Sequence, residues 1–448
     1  MLVGKIFYFN MRSESFIDLF SGCGGLSLGL SMAGLRGIFA VERDPMAFST
    51  FADNFLSDRK LPISNFEWPN WLEKKAWAID DLLGQHELNL KLLNNKVDVL
   101  TGGPPCQGFS FSGKRDGNDP RNQLFKRYVR MVALVRPKLI VLENVPGMRV
   151  AHVEKNGASG AKHRGRESYF EKLKSELELQ GYDVRGEILD AVNFGVPQKR
   201  SRLIVIGVRS DLSLLLPEGV DTVFKQIELA RKDQIKKLKL LIPITSSDAI
   251  SDLRSDLTYL KPCEDPSSKS GFFEAAYHGP DTQYQRLMRS GVRSFQTDSM
   301  RMVKHTDVVA SRFEKIIKEC KQGGNMNGAN REKFGLHKHR ISLMAANAPA
   351  PTITTLPDDI LHYVEGRILT VRECARIQSF PDWFHFKGKF TTGGKQRKNE
   401  CPRYTQVGNA VPPLLARAIG VALSAVLNEC SIYAVTRPLR LAPVSQKV

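Results

Sequence analysis

Between residues 15 and 210 the chain alternates short β-rich runs with helical patterns, and this rhythm restricts the fold more than any other feature. Phe16 to Phe20 reads as a strand and Gly25 to Ala33 as a helix. Gly37 to Val41 reads as a second strand, followed by a helix from Pro45. Val97 to Leu100 is a third strand, and Gln123 to Val135 is a helix that ends before Pro137. Lys138 to Leu142 is a fourth strand, and Tyr169 to Leu179 a helix stopped by Gly181. Val184 to Ala191 and Leu203 to Val208 close the region as strands. Such alternation predicts an α/β fold with a mostly parallel, doubly wound sheet. From residue 211 to about 365 the rhythm fades into Ser-, Lys- and Gly-rich pieces such as Pro266 to Gly271 and Lys321 to Asn330. It returns at Arg367, with helices expected over Val371 to Gln378 and from Pro412 onward. The expected organisation is a main domain over 12–210, a smaller irregular domain over 211–365 inserted before a return at 366–430, and a tail at 431–448. No internal repeat is visible.

At 448 residues the chain is too long for one simple core, and 42% hydrophobic content predicts a folded protein. Seven scattered cysteines show no CxxC pair and no Cys/His set with zinc spacing. His337 and His339 have no partner set, so no metal is expected, and a reduced, cytosolic protein is the simplest account. No signal peptide is read in residues 1–10, and Met11 is a candidate start. The apolar segment Val411 to Leu427 carries Arg417 and two prolines and reads as too short and interrupted to span a membrane. The formal net charge of +18 favours a polyanion as partner, although a merely basic surface has the same sign.

Two loops carry chemistry. Gly102-Gly103-Pro104-Pro105-Cys106-Gln107-Gly108-Phe109-Ser110 follows the third strand and presents a thiol on a turn stiffened by prolines. That setting suits a nucleophile, whereas a lone cysteine is usually inert packing. Asp18-Leu19-Phe20-Ser21-Gly22-Cys23-Gly24-Gly25 joins the first strand to the first helix. Its glycines allow close backbone approach to a ligand at a helix N-terminus. Glu42 ends the second strand, where an acidic residue hydrogen-bonds ribose hydroxyls in doubly wound folds. The spacing is not GxGxxG, and an unphosphorylated adenosine ligand such as S-adenosylmethionine fits.

At this point the chain resembles the DNA cytosine-5 methyltransferases, of the bacterial restriction-modification type, over nearly its whole length. Phe16 to Gly25 looks like the family's first cofactor motif and Glu42 like its second. Gly103 to Ser110 looks like the nucleophile loop and Glu143-Asn144-Val145 like the ENV motif. Gln198-Lys199-Arg200-Ser201-Arg202 looks like the Gln-x-Arg-x-Arg motif. Arg367 to Phe384 and Gln406 to Pro413 look like the last two. The resemblance implies a Rossmann-like catalytic domain that uses S-adenosyl-L-methionine, releases S-adenosyl-L-homocysteine and needs no metal. It implies Cys106, Glu143, Asn144, Arg200 and Arg202 as catalytic residues. It implies Phe20, Ser21, Gly22, Gly24, Gly25, Leu26, Glu42, Arg43, Asp80, Pro104, Leu124, Asn409 and Val411 around the cofactor. Asp80 stands for the family's adenine-contacting aspartate, with Asp81 and Ala78 as alternatives for that slot.

Cytosine C5 attacks a methyl sulfonium poorly until a thiolate adds at C6, which is the role expected of Cys106. A carboxyl group can assist at ring N3 if burial raises its pKa, and Glu143 fits that position. The resemblance has Arg202 holding the cytosine O2 edge and orienting Glu143, and Arg200 helping to hold Cys106. A duplex base must be flipped out, so Gln107 to Asn122, with Lys114, Arg115 and Arg121, is expected to close over it. Specificity is expected in 211–365, including Thr352-Ile353-Thr354-Thr355-Leu356, as the resemblance implies. The basic run between Phe384 and Tyr404 reads as a solvated loop that could touch phosphate. Expected partners are double-stranded DNA and, acting independently, a cognate restriction endonuclease. A monomer in the bacterial cytoplasm, held at the nucleoid through DNA and not at a membrane, is expected. The competing readings are the tRNA-modifying branch, whose Cys-Phe-Thr motif is not found, and a catalytically silent DNA-binding regulator.

Overall fold

The computed structural model describes residues 13–105, 124–150, 168–292, 296–336, 338, 340–393, 396 and 399–436. Six strands, β1 (Ser15–Leu19), β2 (Arg36–Val41), β3 (Val99–Gly102), β4 (Leu139–Asn144), β5 (Tyr182–Asp190) and β6 (Ser201–Arg209), form one sheet in the order β2-β1-β3-β4-β6-β5. The first four are parallel, while β6 runs antiparallel to both β4 and β5. This is the doubly wound α/β sheet expected, with one antiparallel strand, β6, next to the edge strand β5.

Alternation along each strand serves two cores. Ile17, Leu19, Leu100, Ile140, Leu142, Leu203 and Val205 pack on one face. Phe16, Val99, Leu139, Val141, Ile204, Ile206 and Val208 pack on the other. Because side chains alternate every residue, the interiors of β1, β3, β4 and β6 present apolar side chains to both faces, as a sheet covered on both sides requires, whereas the edge strand β5 carries Asp183, Arg185 and Glu187 on one face. The covering helices near the site are α1 (Gly25–Met32), α2 (Pro45–Phe55), α3 (Ile79–Gln85), α4 (Leu124–Val135) and α5 (Tyr169–Leu179). Tyr128 of α4 donates its hydroxyl to Leu100 O at 3.0 Å and to Val141 O at 3.2 Å, pinning the helix across β3 and β4.

Residues beyond 211 divide between two cores. Val220, Val223, Phe224 and Ile227, with α6 (Asp221–Lys237), join Leu253, Tyr284, Met288 and Met300 in the same core as the sheet. A short ribbon, β7 (Leu260–Pro262) and β8 (Phe273–Ala275), lies in this stretch. A separate small core gathers Ile316, Met326, Ile341, Leu343, Leu361 and Ile368. It holds α7 (Asp307–Glu319) and the three-stranded sheet of β9 (Gly324–Asn325), β10 (Ser342–Leu343) and β11 (Ile360–Leu361).

The chain then returns through α8 (Val371–Ile377), α9 (Arg403–Asn409) and α10 (Pro413–Thr436). Here one expectation is corrected. The C-terminal apolar segment is a continuous helix of 24 residues, and its stretch Pro413–Tyr433 is long and apolar enough to span a bilayer. Pro413 opens the helix, where a missing N–H costs nothing. Arg417 donates to Gln234 Oε1 at 2.9 Å. Leu414, Leu415, Ile419 and Leu423 are buried in the sheet's core. The helix packs closely on α1, with Gly29 and Gly420 at the contact. A Cβ on Gly29 would lie 2.3 Å from Ala416 Cβ, and one on Gly420 would lie 2.7 Å from Ala33 Cβ.

Candidate active site

The carboxyl ends of β1 to β4 meet where strand order reverses, the usual ligand crevice of such sheets. At its cofactor side, Phe20 turns with φ 59° and the chain doubles back through Gly22 and Gly24 (φ +56° and +97°) into α1. Ser21 N–H donates to Val41 O at 3.0 Å. Gly22 N–H and Asp44 N–H donate to the two oxygens of Glu42 at 3.0 and 2.7 Å. Glu42 is thereby aimed by backbone. Burial raises its pKa, and these two hydrogen bonds oppose the rise. Gly25 takes its place under the C-terminal motif, since a Cβ there would lie 2.4 Å from Val411 O. Leu26, Pro104 and Val411 are buried, Phe20, Ser21 and Leu124 half-buried, and Arg43 and Asn409 exposed.

The same crevice holds polar atoms with nothing to bond. Asp18 Oδ2 accepts from Ser27 Oγ at 2.6 Å, while Asp18 Oδ1, Ser21 Oγ and Thr101 Oγ1 are buried without a hydrogen-bond partner among the described residues. Asp18 and Thr101 are register partners on β1 and β3. Buried polar groups are rarely left this way, because each unmade bond carries a desolvation penalty. A carboxylate and two hydroxyls beside a glycine turn, with Glu42 across it, suit a ligand that carries an ammonium group and ribose hydroxyls. Burial pushes the Asp18 carboxyl up to about 7. Asp18 and Ser27 stand outside the residues assigned from sequence. The only sequence signal for Asp18 was a carboxylate inside an otherwise apolar strand.

Asp80 is the residue expected at the adenine. It sits on the exposed first turn of α3 with its carboxylate on Arg127. Asp81 beside it is exposed too. The chain next to Glu42 is instead the backbone before α3, where Trp77 N–H donates to Glu42 O at 2.8 Å and Ala78 caps the helix.

Cys106 and the segment 107–122, including Lys114, Arg115 and Arg121, lie outside the described residues. The root of that loop is described. Gly103 N–H donates to Leu19 O at 3.3 Å, and Asn144 Nδ2 donates to Pro104 O at 3.2 Å. A Cβ on Gly103 would be 3.4 Å from Glu143 Oε2. The other Glu143 oxygen meets Arg202 Nε at 2.7 Å, with the two side chains 11% and 13% exposed. Antiparallel pairing explains the meeting. Glu143 and Asn144 end β4 opposite Ile204 and Leu203, so the start of β6 must lie at the end of β4.

Arg200 is expected to help hold Cys106, which lies outside the described residues, and among the described residues it has a further use. Its Nη atoms donate to the main-chain oxygens of Ile353, Gly408 and Ala410 at 3.1, 2.9 and 3.1 Å. Gln198 Oε1 accepts from Ile353 N–H at 2.9 Å, and its Nε2 donates to Gln378 Oε1 at 2.9 Å. The Gln-x-Arg-x-Arg segment therefore clamps the threonine-rich segment 352–356 and both C-terminal motifs to the sheet, leaving Arg202 for the carboxylate.

Comparison with known proteins agrees with this geometry. The model for "C-5 cytosine-specific DNA methylase" matches residues 15–425. The chain is 32% identical over 420 residues to the type II methyltransferase M.DdeI of Desulfomicrobium norvegicum, covering 91% of this chain and 88% of that protein. It is 31% identical over 416 residues to M1.HphI of Haemophilus parahaemolyticus, covering 92% and 87%. The chain belongs to the C-5 cytosine-specific DNA methylase family. Its fold is also that of a solved structure, described as a DNA modification methyltransferase encoded within a prophage of E. coli. That likeness has a TM-score of 0.59 and 25% identity, over 93% of this chain and all of the other. The protein is a DNA (cytosine-5-)-methyltransferase that uses S-adenosylmethionine and acts on DNA.

Proposed function

We propose that this methyltransferase works by covalent addition of Cys106 to C6 of a flipped cytosine in a specific duplex sequence. The observation that carries the reading is the Glu143–Arg202 pair at the root of the Pro104-Pro105-Cys106 loop. The Cys106 thiolate forms a bond to C6, and the displaced π electrons move onto N3, where Glu143 supplies the proton or hydrogen bond. Arg202 holds Glu143 in line and offers its remaining donors to the cytosine O2 edge. Asn144 fixes the loop through Pro104. The cofactor supplies a methyl group on a sulfonium, an electrophile for the enamine carbon C5. Water then removes the C5 proton, and the electrons returned to the ring expel the Cys106 thiolate.

Phe20, Ser21, Gly22, Gly24, Gly25, Leu26, Glu42, Arg43, Pro104, Leu124, Asn409 and Val411 are the residues proposed to hold the cofactor, with Glu42 on the ribose. To these the unpartnered oxygens add Asp18 at its ammonium end. Recognition is assigned to 211–365. Its first part is welded to the catalytic core and its second part, with a core of its own, is the candidate reading module. A monomer in the bacterial cytoplasm, needing no metal and protecting DNA against an independent restriction endonuclease, completes the proposal.

The test is to incubate the full chain and Cys106→Ser with labelled S-adenosylmethionine and either duplex DNA or tRNA, then map modified bases. Label on DNA cytosines for the parent, none for Cys106→Ser, and retained DNA binding by both are expected. Label on tRNA alone, or methylation by Cys106→Ser, overturns the reading.

A further inference from the structure

One arginine of this chain is built unlike its neighbours. Arg301 lies with its guanidinium carbon 4.3 Å from the ring centre of Phe272 and 3.8 Å from that of Phe390. Its backbone extends the β7–β8 ribbon, bridging to Glu274, and Met302 N–H donates to Phe273 O at 2.8 Å. Two rings and a strand therefore fix the plane of the guanidinium. Yet its side chain makes no hydrogen bond or ion pair among the described residues.

The contrast with nearby arginines is sharp. Arg403, also 4.2 Å from the Phe390 ring, forks onto both oxygens of Asp265 at 2.5 and 3.0 Å and bonds Ser299 and Gly388 as well. Arg367 forks onto Glu373, and Arg372 reaches the Asp298 carboxylate and three main-chain oxygens. Arg301 is half-buried, and burial lowers its pKa. A planar cation that is partly desolvated, stacked and left with open donors is prepared for an external acceptor.

Its position joins the recognition segment to the catalytic side. Phe272 belongs to the ribbon turn and Phe390 to the C-terminal return. From Phe390 the chain runs to Cys401, whose N–H donates to Asp44 Oδ2 at 3.0 Å, two residues beyond Glu42. It then enters α9, whose end Arg200 holds.

We propose that Arg301 is a DNA-contacting residue, its fork taking a paired acceptor edge on the duplex. This rests on the reading that DNA is the substrate. The paired acceptors are either O6 and N7 of a guanine in the major groove or two oxygens of one backbone phosphate.

The experiment first defines the methylated site by bisulfite mapping of DNA from cells that express the full chain. Binding of a duplex carrying that site, and of duplexes changed at each base pair, is then measured for the parent, Arg301→Ala and Arg301→Lys across salt concentrations. Cofactor binding and melting temperature are followed in parallel. Arg301→Ala is expected to weaken duplex binding at least about fivefold. Arg301→Lys, which keeps the charge over the rings but not the fork, is expected to recover only part of it. Cofactor binding should hold in both. A guanine contact confines the loss to one base-pair position. A phosphate contact weakens all sequences alike and lowers the salt slope by about one. Parent-like duplex binding in Arg301→Lys overturns the fork, and parent-like binding in a folded Arg301→Ala overturns the contact. Loss of cofactor binding along with DNA binding overturns it too, by making Arg301 structural. A parent that binds duplex but never methylates it would instead break the functional reading and leave the binding comparison standing.

Discussion

Two arginine–carboxylate clusters in this molecule use the same chemistry for different ends. Around α8, Arg376 meets Asp382 through Nε and Nη2 at 2.5 and 2.7 Å and Asp252 through Nη1 and Nη2 at 3.2 Å each, and it donates to Ala249 O. All three side chains are fully buried. At the end of β4, Arg202 meets Glu143 through Nε alone. Its Nη1 bonds its neighbour Ser201 O, and both Arg202 Nη2 and Glu143 Oε2 make no hydrogen bond among the described residues. The first cluster is saturated and joins the segment around Asp252 to the C-terminal motif. The second keeps a donor and an acceptor open. Saturation marks a structural tie, and open valence marks a place for substrate.

The comparison can be broken in several ways. Glu143→Gln should lower single-turnover methyl transfer by about 10²–10⁴-fold, the range for a lost general acid–base group. Thermal melting and cofactor binding should stay near the parent. A melting temperature that collapses with activity would place Glu143 with the structural cluster. Arg376→Met should do the reverse. It leaves Asp382 and Asp252 as uncompensated buried charges, with about 3–5 kcal/mol of stability lost in urea unfolding. A loss below about 1 kcal/mol would class it with surface pairs.

Asp18 sharpens the contrast through pH. Its folded-state pKa is raised from 3.8 to about 7, so the folded protein binds this proton more tightly than the unfolded chain. Its ionisation opposes folding. The stability of the cofactor-free protein should therefore fall as pH rises between those values and level off above about 7. Asp18→Asn should flatten that slope in melting curves taken across the range. An unchanged slope would remove Asp18 from the crevice argument. The smallest effect belongs to Glu42→Gln, which keeps one acceptor for Gly22 or Asp44. S-adenosylmethionine affinity measured by calorimetry should weaken about tenfold, the scale of one hydrogen bond to a charged group. Duplex binding should be unaffected.

Much of this was legible in the chain. Strand positions followed from short apolar runs between turn residues, β1, β2 and α5 appear within a residue of their expected ends, and α2 begins at Pro45 as expected. Long-range partnership was not legible. Arg200 and Arg202 stand two apart, which on a strand would put them on one face. Arg200 precedes β6, so the alternation does not govern it, and it turns to Ile353, Gly408 and Ala410, residues more than 150 positions away. Likewise Val411 to Leu427 reads as an interrupted segment, because only the helix start at Pro413 shows the prolines to be harmless.

Sequence by itself determined the kind of molecule: a doubly wound sheet, a glycine turn with Glu42, a thiol loop, and motifs in family order. Those are local features, set by turn chemistry, side-chain period and residue type. Only the tertiary structure decided which charges are saturated and which remain open. Whether Arg202, Arg301 or Arg376 has a partner depends on where distant carboxylates and rings arrive when the sheet, its C-terminal helices and residues 211–365 close on one another.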